Sequence, residues 1–89
     1  MGLNIKEQMT ELLSLPKEVM LNLPQVIITG NGEVNIENYK NIIEYTESKI
    51  RVNTKCGILM IEGRNLSLKQ MTVEYIVVSG TILSLNYLQ

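Results

Sequence analysis

Nine glutamates and one cysteine are the side chains in this 89-residue chain to which acid–base, nucleophilic or metal chemistry would fall. The chain contains no histidine and no aspartate. A nucleophilic triad needs a base beside the nucleophile, most often a histidine. A transition-metal centre would have to be assembled from Cys56 and scattered glutamates, unlike the ordinary ligand sets. The six glycines follow neither of the spacings that cradle phosphates. Glu44, Glu62 and Glu74 could share acid–base work only if the fold brought them together. Each sits beside a strand end or turn, where a solvated charge that discourages edge-to-edge aggregation is the simpler account. The expectation is a protein that is not an enzyme and holds neither cofactor nor metal.

Cys56 has no second cysteine to pair with, which suits a reducing cytosol. Its plain reading is a small apolar residue buried beside a turn. The formal net charge of −1 offers no basic footprint for nucleic acid. The N-terminus opens Met1-Gly2-Leu3-Asn4-Ile5-Lys6-Glu7, without the basic and apolar regions of a signal peptide. Nor does any apolar run approach the ~20 residues that a membrane-spanning helix needs. These features predict a cytoplasmic protein. The length predicts one domain, and one this small buries only about 60% of its unfolded surface. Aliphatic residues compensate, with 11 Ile and 12 Leu but no Ala, Phe or Trp.

Two segments must position whatever the protein uses. Over residues 1–24, Ile5, Met9, Leu12 and Leu13 recur at helical spacing. Asn4 and Glu7 offer a capping-box start, and Pro16 behind Ser14 suits the first turn of a second helix. The spacing predicts two short helices, roughly 4–14 and 15–22, ending at Leu23-Pro24. An amphipathic stripe of this kind packs on a core in the ordinary case. The sharper reading is a docking helix for a partner or a membrane surface. Glu7, Glu11 and Lys6 on its polar face, instead of a Lys/Arg cluster, weaken the membrane version.

Over residues 25–89 the helical period gives way to β-branched and aliphatic runs separated by turn residues. Eight strands are predicted, at Gln25–Thr29, Glu33–Tyr39, Asn41–Tyr45, Lys49–Asn53, Ile58–Glu62, Asn65–Gln70, Tyr75–Ser79 and Thr81–Leu88. Three stretches echo one another: VIITGNGEVNI from Val26, LMIEGRNLSL from Leu59 and IVVSGTILSL from Ile76. With Thr46 in the glycine place of a fourth, the turn positions are 30, 46, 63 and 80, spaced 16, 17 and 17 residues apart. Four strand–turn–strand units of one size follow. A mainly β fold is expected, an antiparallel eight-stranded meander closed into a small sandwich or barrel. A β-solenoid with one unit per rung is the alternative.

Leu66 and Leu68 alternate with Ser67 and Lys69, and Ile50 and Val52 with Lys49, Arg51 and Asn53, as half-buried strands do. Ile58 to Ile61 and Tyr75 to Val78 are instead apolar on both faces and call for cover on two sides. That cover comes from the N-terminal helices or from another chain. The candidate interaction surface is therefore Ile5, Met9, Leu12, Leu13, Leu59, Ile61 and Val77, with self-association or a partner protein as its purpose.

The order of residues carries more than their types. From Ile43 to Tyr87 the chain shows Glu44-Tyr45, then Ile50-Arg51-Val52-Asn53-Thr54, Gly57 and Ile61-Glu62-Gly63-Arg64-Asn65-Leu66. After these come Met71-Thr72, Glu74, Ile76 and Gly80-Thr81-Ile82, with Val26 to Gly30 and Glu37-Asn38-Tyr39 upstream. In this order and spacing the chain resembles the YabP/YqfC family of endospore-formation proteins, and within it the YqfC-like branch. The resemblance covers about three quarters of the chain. It implies a protein of the bacterial mother cell needed for normal spore envelope or cortex development, and it implies no catalytic residue.

Two functions remain open on these grounds. The first is a non-enzymatic assembly or adaptor factor in spore formation, contacting itself or another sporulation protein. The second is a small-molecule or lipid-binding β module, with Tyr39, Tyr45 and Tyr75 as its polar anchors inside a barrel. Each tyrosine more simply packs across strands with its hydroxyl at the rim.

Overall fold

The computed structural model describes residues 22–88. Within them lie six strands, β1 Gln25–Thr29, β2 Glu33–Glu37, β3 Tyr39–Tyr45, β4 Lys49–Thr54, β5 Gly57–Met71 and β6 Tyr75–Leu88. They form one sheet in the order β1-β2-β6-β5-β4-β3. All five neighbouring pairs are antiparallel. The helices expected over 4–14 and 15–22 fall outside the described residues, apart from Asn22, which lies in a turn.

Two expectations are corrected here. The strands number six because Gly63 and Gly80 do not end strands. The expected pairs Ile58–Glu62 with Asn65–Gln70, and Tyr75–Ser79 with Thr81–Leu88, run on as single long strands. Glycine inside a strand marks a bulge or a close backbone approach as readily as a turn. Both occur at this point. The β5–β6 register shifts between Glu62 and Gly63 and again between Arg64 and Ser67, with Asn65 at a left-handed φ of 53°. A Cβ on Gly63 would overlap the Thr81 carbonyl oxygen, and one on Gly80 would lie 2.6 Å from the Asn65 oxygen. The sheet is also no simple meander, since β2 pairs with β6. The antiparallel pairing throughout rules out the solenoid.

The long β5–β6 hairpin is kinked at its middle, and each shorter hairpin lies along half of it. β2 pairs with β6 from Tyr75 to Ser79, and β4 pairs with β5 from Gly57 to Glu62. The turns of both hairpins then rest on the kink. Gly80 and Ile82 donate their amides to Gly32 and Asn31, at 3.2 and 2.7 Å. Gly63 and Leu66 donate theirs to Ser48 and Glu47, at 3.1 and 2.8 Å. The turn positions singled out at 30, 46, 63 and 80 thus meet in two contacts between a hairpin turn and a strand kink.

Threonine builds three of the turns. In Thr46-Glu47-Ser48-Lys49 the Thr46 hydroxyl accepts the amides of Ser48 and Lys49 at 3.3 and 2.9 Å. Thr72 does the same for Glu74 and Tyr75 at 3.1 and 3.0 Å. Thr54, itself buried, takes the Cys56 amide at 3.1 Å and donates to the Gly57 carbonyl at 2.7 Å. Such side-chain bonds to nearby backbone replace the ladder bonds that a turn forgoes.

The inward faces meet in one apolar cluster. Val34 and Ile36 of β2, Ile50 and Val52 of β4, Leu59, Ile61 and Leu66 of β5, and Ile76 and Val78 of β6 are all buried in it. Alternation along each strand places these residues on one side of the pleat, and the irregularity between Arg64 and Ser67 brings Leu66 round to the same side. The two ends of the long hairpin come together as the sheet folds over this core. Tyr39, opposite Thr54 beside the β4–β5 turn, donates its hydroxyl to the Thr72 carbonyl in the β5–β6 turn at 2.6 Å. Tyr39→Phe removes that bond and is expected to lower stability by about 1 kcal/mol. A urea titration measures it, and an unchanged midpoint would mean that the bond is not formed in solution.

Candidate interaction surface

The residues singled out for chemistry stay apart. Glu44 accepts the Arg51 Nε at 2.7 Å on the β3–β4 ladder. Glu62 accepts the Ser84 hydroxyl at 3.2 Å across the β5–β6 ladder. Glu74 lies in the β5–β6 turn, where it shares an open depression of about 380 Å³ with Glu37, Asn38 and Tyr75. Among the described residues, no group of three His, Cys, Asp or Glu side chains is placed to hold a metal ion. Cys56 is exposed in the β4–β5 turn and not buried, with its amide donated to the Thr54 hydroxyl. Partial burial raises the pKa of the Tyr87 hydroxyl above the ordinary tyrosine value; Cys56 adds to the rise and a hydrogen bond with Thr54 offsets part of it.

The three tyrosines proposed as ligand anchors are engaged with their own chain. Besides the Tyr39 bond, the Tyr45 hydroxyl accepts the Leu68 amide at 3.3 Å, and the Tyr75 hydroxyl accepts the Gln70 side-chain amide at 2.7 Å. Of the residues expected to meet a partner, Ile5, Met9, Leu12 and Leu13 lie outside the described residues. Leu59 and Ile61 point into the core with no exposed surface, so they hold the fold together and do not face a partner. Val77 points to the other side of the sheet, between Asn35 and Gln70, and is 6% exposed.

What the pairing leaves open among the described strands is the set of rims of the sheet. A rim strand offers unpaired N–H and C=O groups to another chain, and folded proteins commonly blunt it with charge or with bulges. Four such rims exist among the described strands: β1, β3 and the halves of β5 and β6 left uncovered by the two short hairpins. β3 carries Lys40 and two register shifts. The open half of β5 carries Lys69, and its Leu68 amide is taken by Tyr45. The open half of β6 begins with the extra residue Leu83, a bulge opposite Glu62 and Gly63, and its Ile82 amide is taken by Asn31.

β1 has none of these devices. Its sequence QVIIT is uncharged, and its five residues pair with β2 without a shift. Ile27 and Ile28 are successive and so lie on opposite faces, yet they are 47% and 51% exposed. Nothing in the order of residues marks β1 as a rim strand, which is why the surface was not legible before the pairing was known.

Comparison with known proteins places this architecture. Residues 22–89 match the family model described as the YabP family. The chain belongs to the YabP family. The match takes in all six strands. A relative in Bacillus subtilis (strain 168), named "Uncharacterized protein YqfC", is 31% identical over 85 residues, spanning 96% of this chain and 91% of that protein. Among the described residues of this YabP-family chain, no helix is long and apolar enough to cross a membrane.

Proposed function

We propose that this YabP-family protein is a non-enzymatic assembly or adaptor factor of spore formation, acting in the mother cell on the developing spore envelope. The observation that carries the reading is family membership over the whole β region, combined, among the described residues, with chemistry-bearing side chains that lie apart and a flat, uncharged rim at β1. Proteins that work by contact need a surface, and an uncharged rim strand with half-exposed isoleucines on both faces is one. Its partners are further copies of itself, another sporulation protein, or both, and peripheral contact with a membrane is compatible with the same role. The competing role, a small-molecule or lipid carrier, would use inward polar anchors. Here the inward side chains close into a single aliphatic cluster, and the hydroxyls of Tyr39, Tyr45 and Tyr75 are already bonded within the chain.

Deletion of the gene in its source strain tests the proposal. The count of heat-resistant spores is expected to fall far below wild type while vegetative growth is unchanged. Equal spore counts would overturn the sporulation role, and ligand screening would then come first.

A further inference from the structure

The four rims of the sheet differ in how they are guarded, and the difference singles out one of them. Charge, bulging or a hydrogen bond from the same chain interrupts β3, β5 and β6 at their open sides. β1 is flat and uncharged along its whole length and shows an isoleucine on each face, whereas the uncharged open half of β6 is in register only beyond the bulge at Leu83. A strand added beside it would satisfy backbone groups, but to cover Ile27 and Ile28 together it must bring apolar residues on both of its own faces. β1 meets that requirement itself.

We propose that the free edge of β1 is a self-pairing surface, on which two copies of this chain join β1 to β1 antiparallel about a two-fold axis at Ile27. In that register Val26 of one copy lies opposite Ile28 of the other, and Gln25 lies opposite Thr29. Residues directly opposite share a face. Val26 and Ile28 lie on the core side, opposite Ile36 and Val34 of β2, so the cross-copy pairs extend the apolar core across the junction. On the other side the two Ile27 side chains meet, flanked by the uncharged Gln25–Thr29 pairs. No like charges oppose one another, because Glu33 and Glu37 stand one strand back on β2.

A two-fold contact uses the same patch on both copies and therefore closes at a dimer. Five residues a side cover less than the roughly 800 Å² per partner of a standard interface. The dimer accordingly forms at high protein concentration and dissociates on dilution. This pairing deepens the assembly role proposed above, but its test does not rely on sporulation. A failed pairing with a normal deletion phenotype, or the reverse, separates the two.

The test is sedimentation velocity of the purified full chain over a wide concentration range, with two variants. Wild type is expected to rise from monomer to dimer mass and stop there. Ile27→Lys places a charge at the centre of the paired strands and is expected to stay monomeric throughout, with an unchanged melting temperature because Ile27 is half exposed. Leu83→Lys, on the β6 rim, is expected to dimerise like wild type. Wild type that remains monomeric at every concentration would overturn the pairing, as would an Ile27→Lys variant that still dimerises. Loss of the dimer in Leu83→Lys would overturn it as well, by moving the contact to β6.

Discussion

Gly63→Ala and Gly80→Ala are each expected to destabilise the protein by about 3 kcal/mol, a large part of what a domain of this size has in reserve. The cause is the crossing of β5 and β6 at their kinks. At Gly63 the added methyl would overlap the Thr81 carbonyl oxygen and stand 3.0 Å from the Leu66 Cδ2. At Gly80 it would stand 2.6 Å from the Asn65 oxygen and 2.9 Å from the Arg64 oxygen, on a backbone already at a φ of +128°. In both cases the obstructing oxygens are backbone, which cannot rotate away as the end of a flexible side chain does. Gly30→Ala is the matched control. It also needs a left-handed φ, of +56°, but its added methyl meets nothing within 4 Å. It should cost only the conformational preference, about 1 kcal/mol. Thermal unfolding measures all three, with expected drops on the order of 15 °C at the kink and about 5 °C at the turn. If Gly63→Ala melted like wild type, the close crossing would be wrong, and with it the seating of both hairpin turns.

Ile61→Ala is the second large effect, with an expected loss of about 2–5 kcal/mol. Ile61 is fully buried on β5, opposite Ile50 of β4 and Leu85 of β6, within the cluster shared by both halves of the sheet. Truncation removes apolar contact and leaves a cavity between strands that the β4 and β6 ladders hold in place. Val73→Ser makes the contrast. Val73 is 92% exposed in the β5–β6 turn, and its replacement should change stability by no more than about 0.5 kcal/mol. Urea denaturation of the purified variants reads both. The comparison also separates two roles for Ile61: a core residue shifts the unfolding midpoint, whereas a contact residue would weaken association and leave the midpoint alone.

Where most strand segments lie was legible in the order of residues, and so was the face that β4 buries. β1 runs over the expected Gln25–Thr29, and β4 begins at Lys49 as read. Ile50 and Val52 turn inward from Lys49, Arg51 and Asn53 because side chains alternate on a strand whatever it pairs with. The turn positions were legible too, but what happens at two of them was not. Gly30 and Thr46 belong to hairpin turns, whereas Gly63 and Gly80 lie inside strands. Glycine permits a reversal, a bulge or a close crossing alike, and only the neighbouring strand selects among them.

The order of residues also pointed to the family, whose model matches residues 22–89. It did not determine which residues face outward to another molecule. Leu59 and Ile61 looked available because an apolar run on two faces calls for cover on both. In the folded chain β4 and β6 flank them and the kinked sheet folds over them. β1 looked like any other short strand, and it became a surface only because β2 turned its far side to β6 and left β1 at the rim. Alternation and turn chemistry are local, so a sequence carries them directly. The neighbours of a strand depend on chain closure over many residues, and that was decided in the tertiary structure alone.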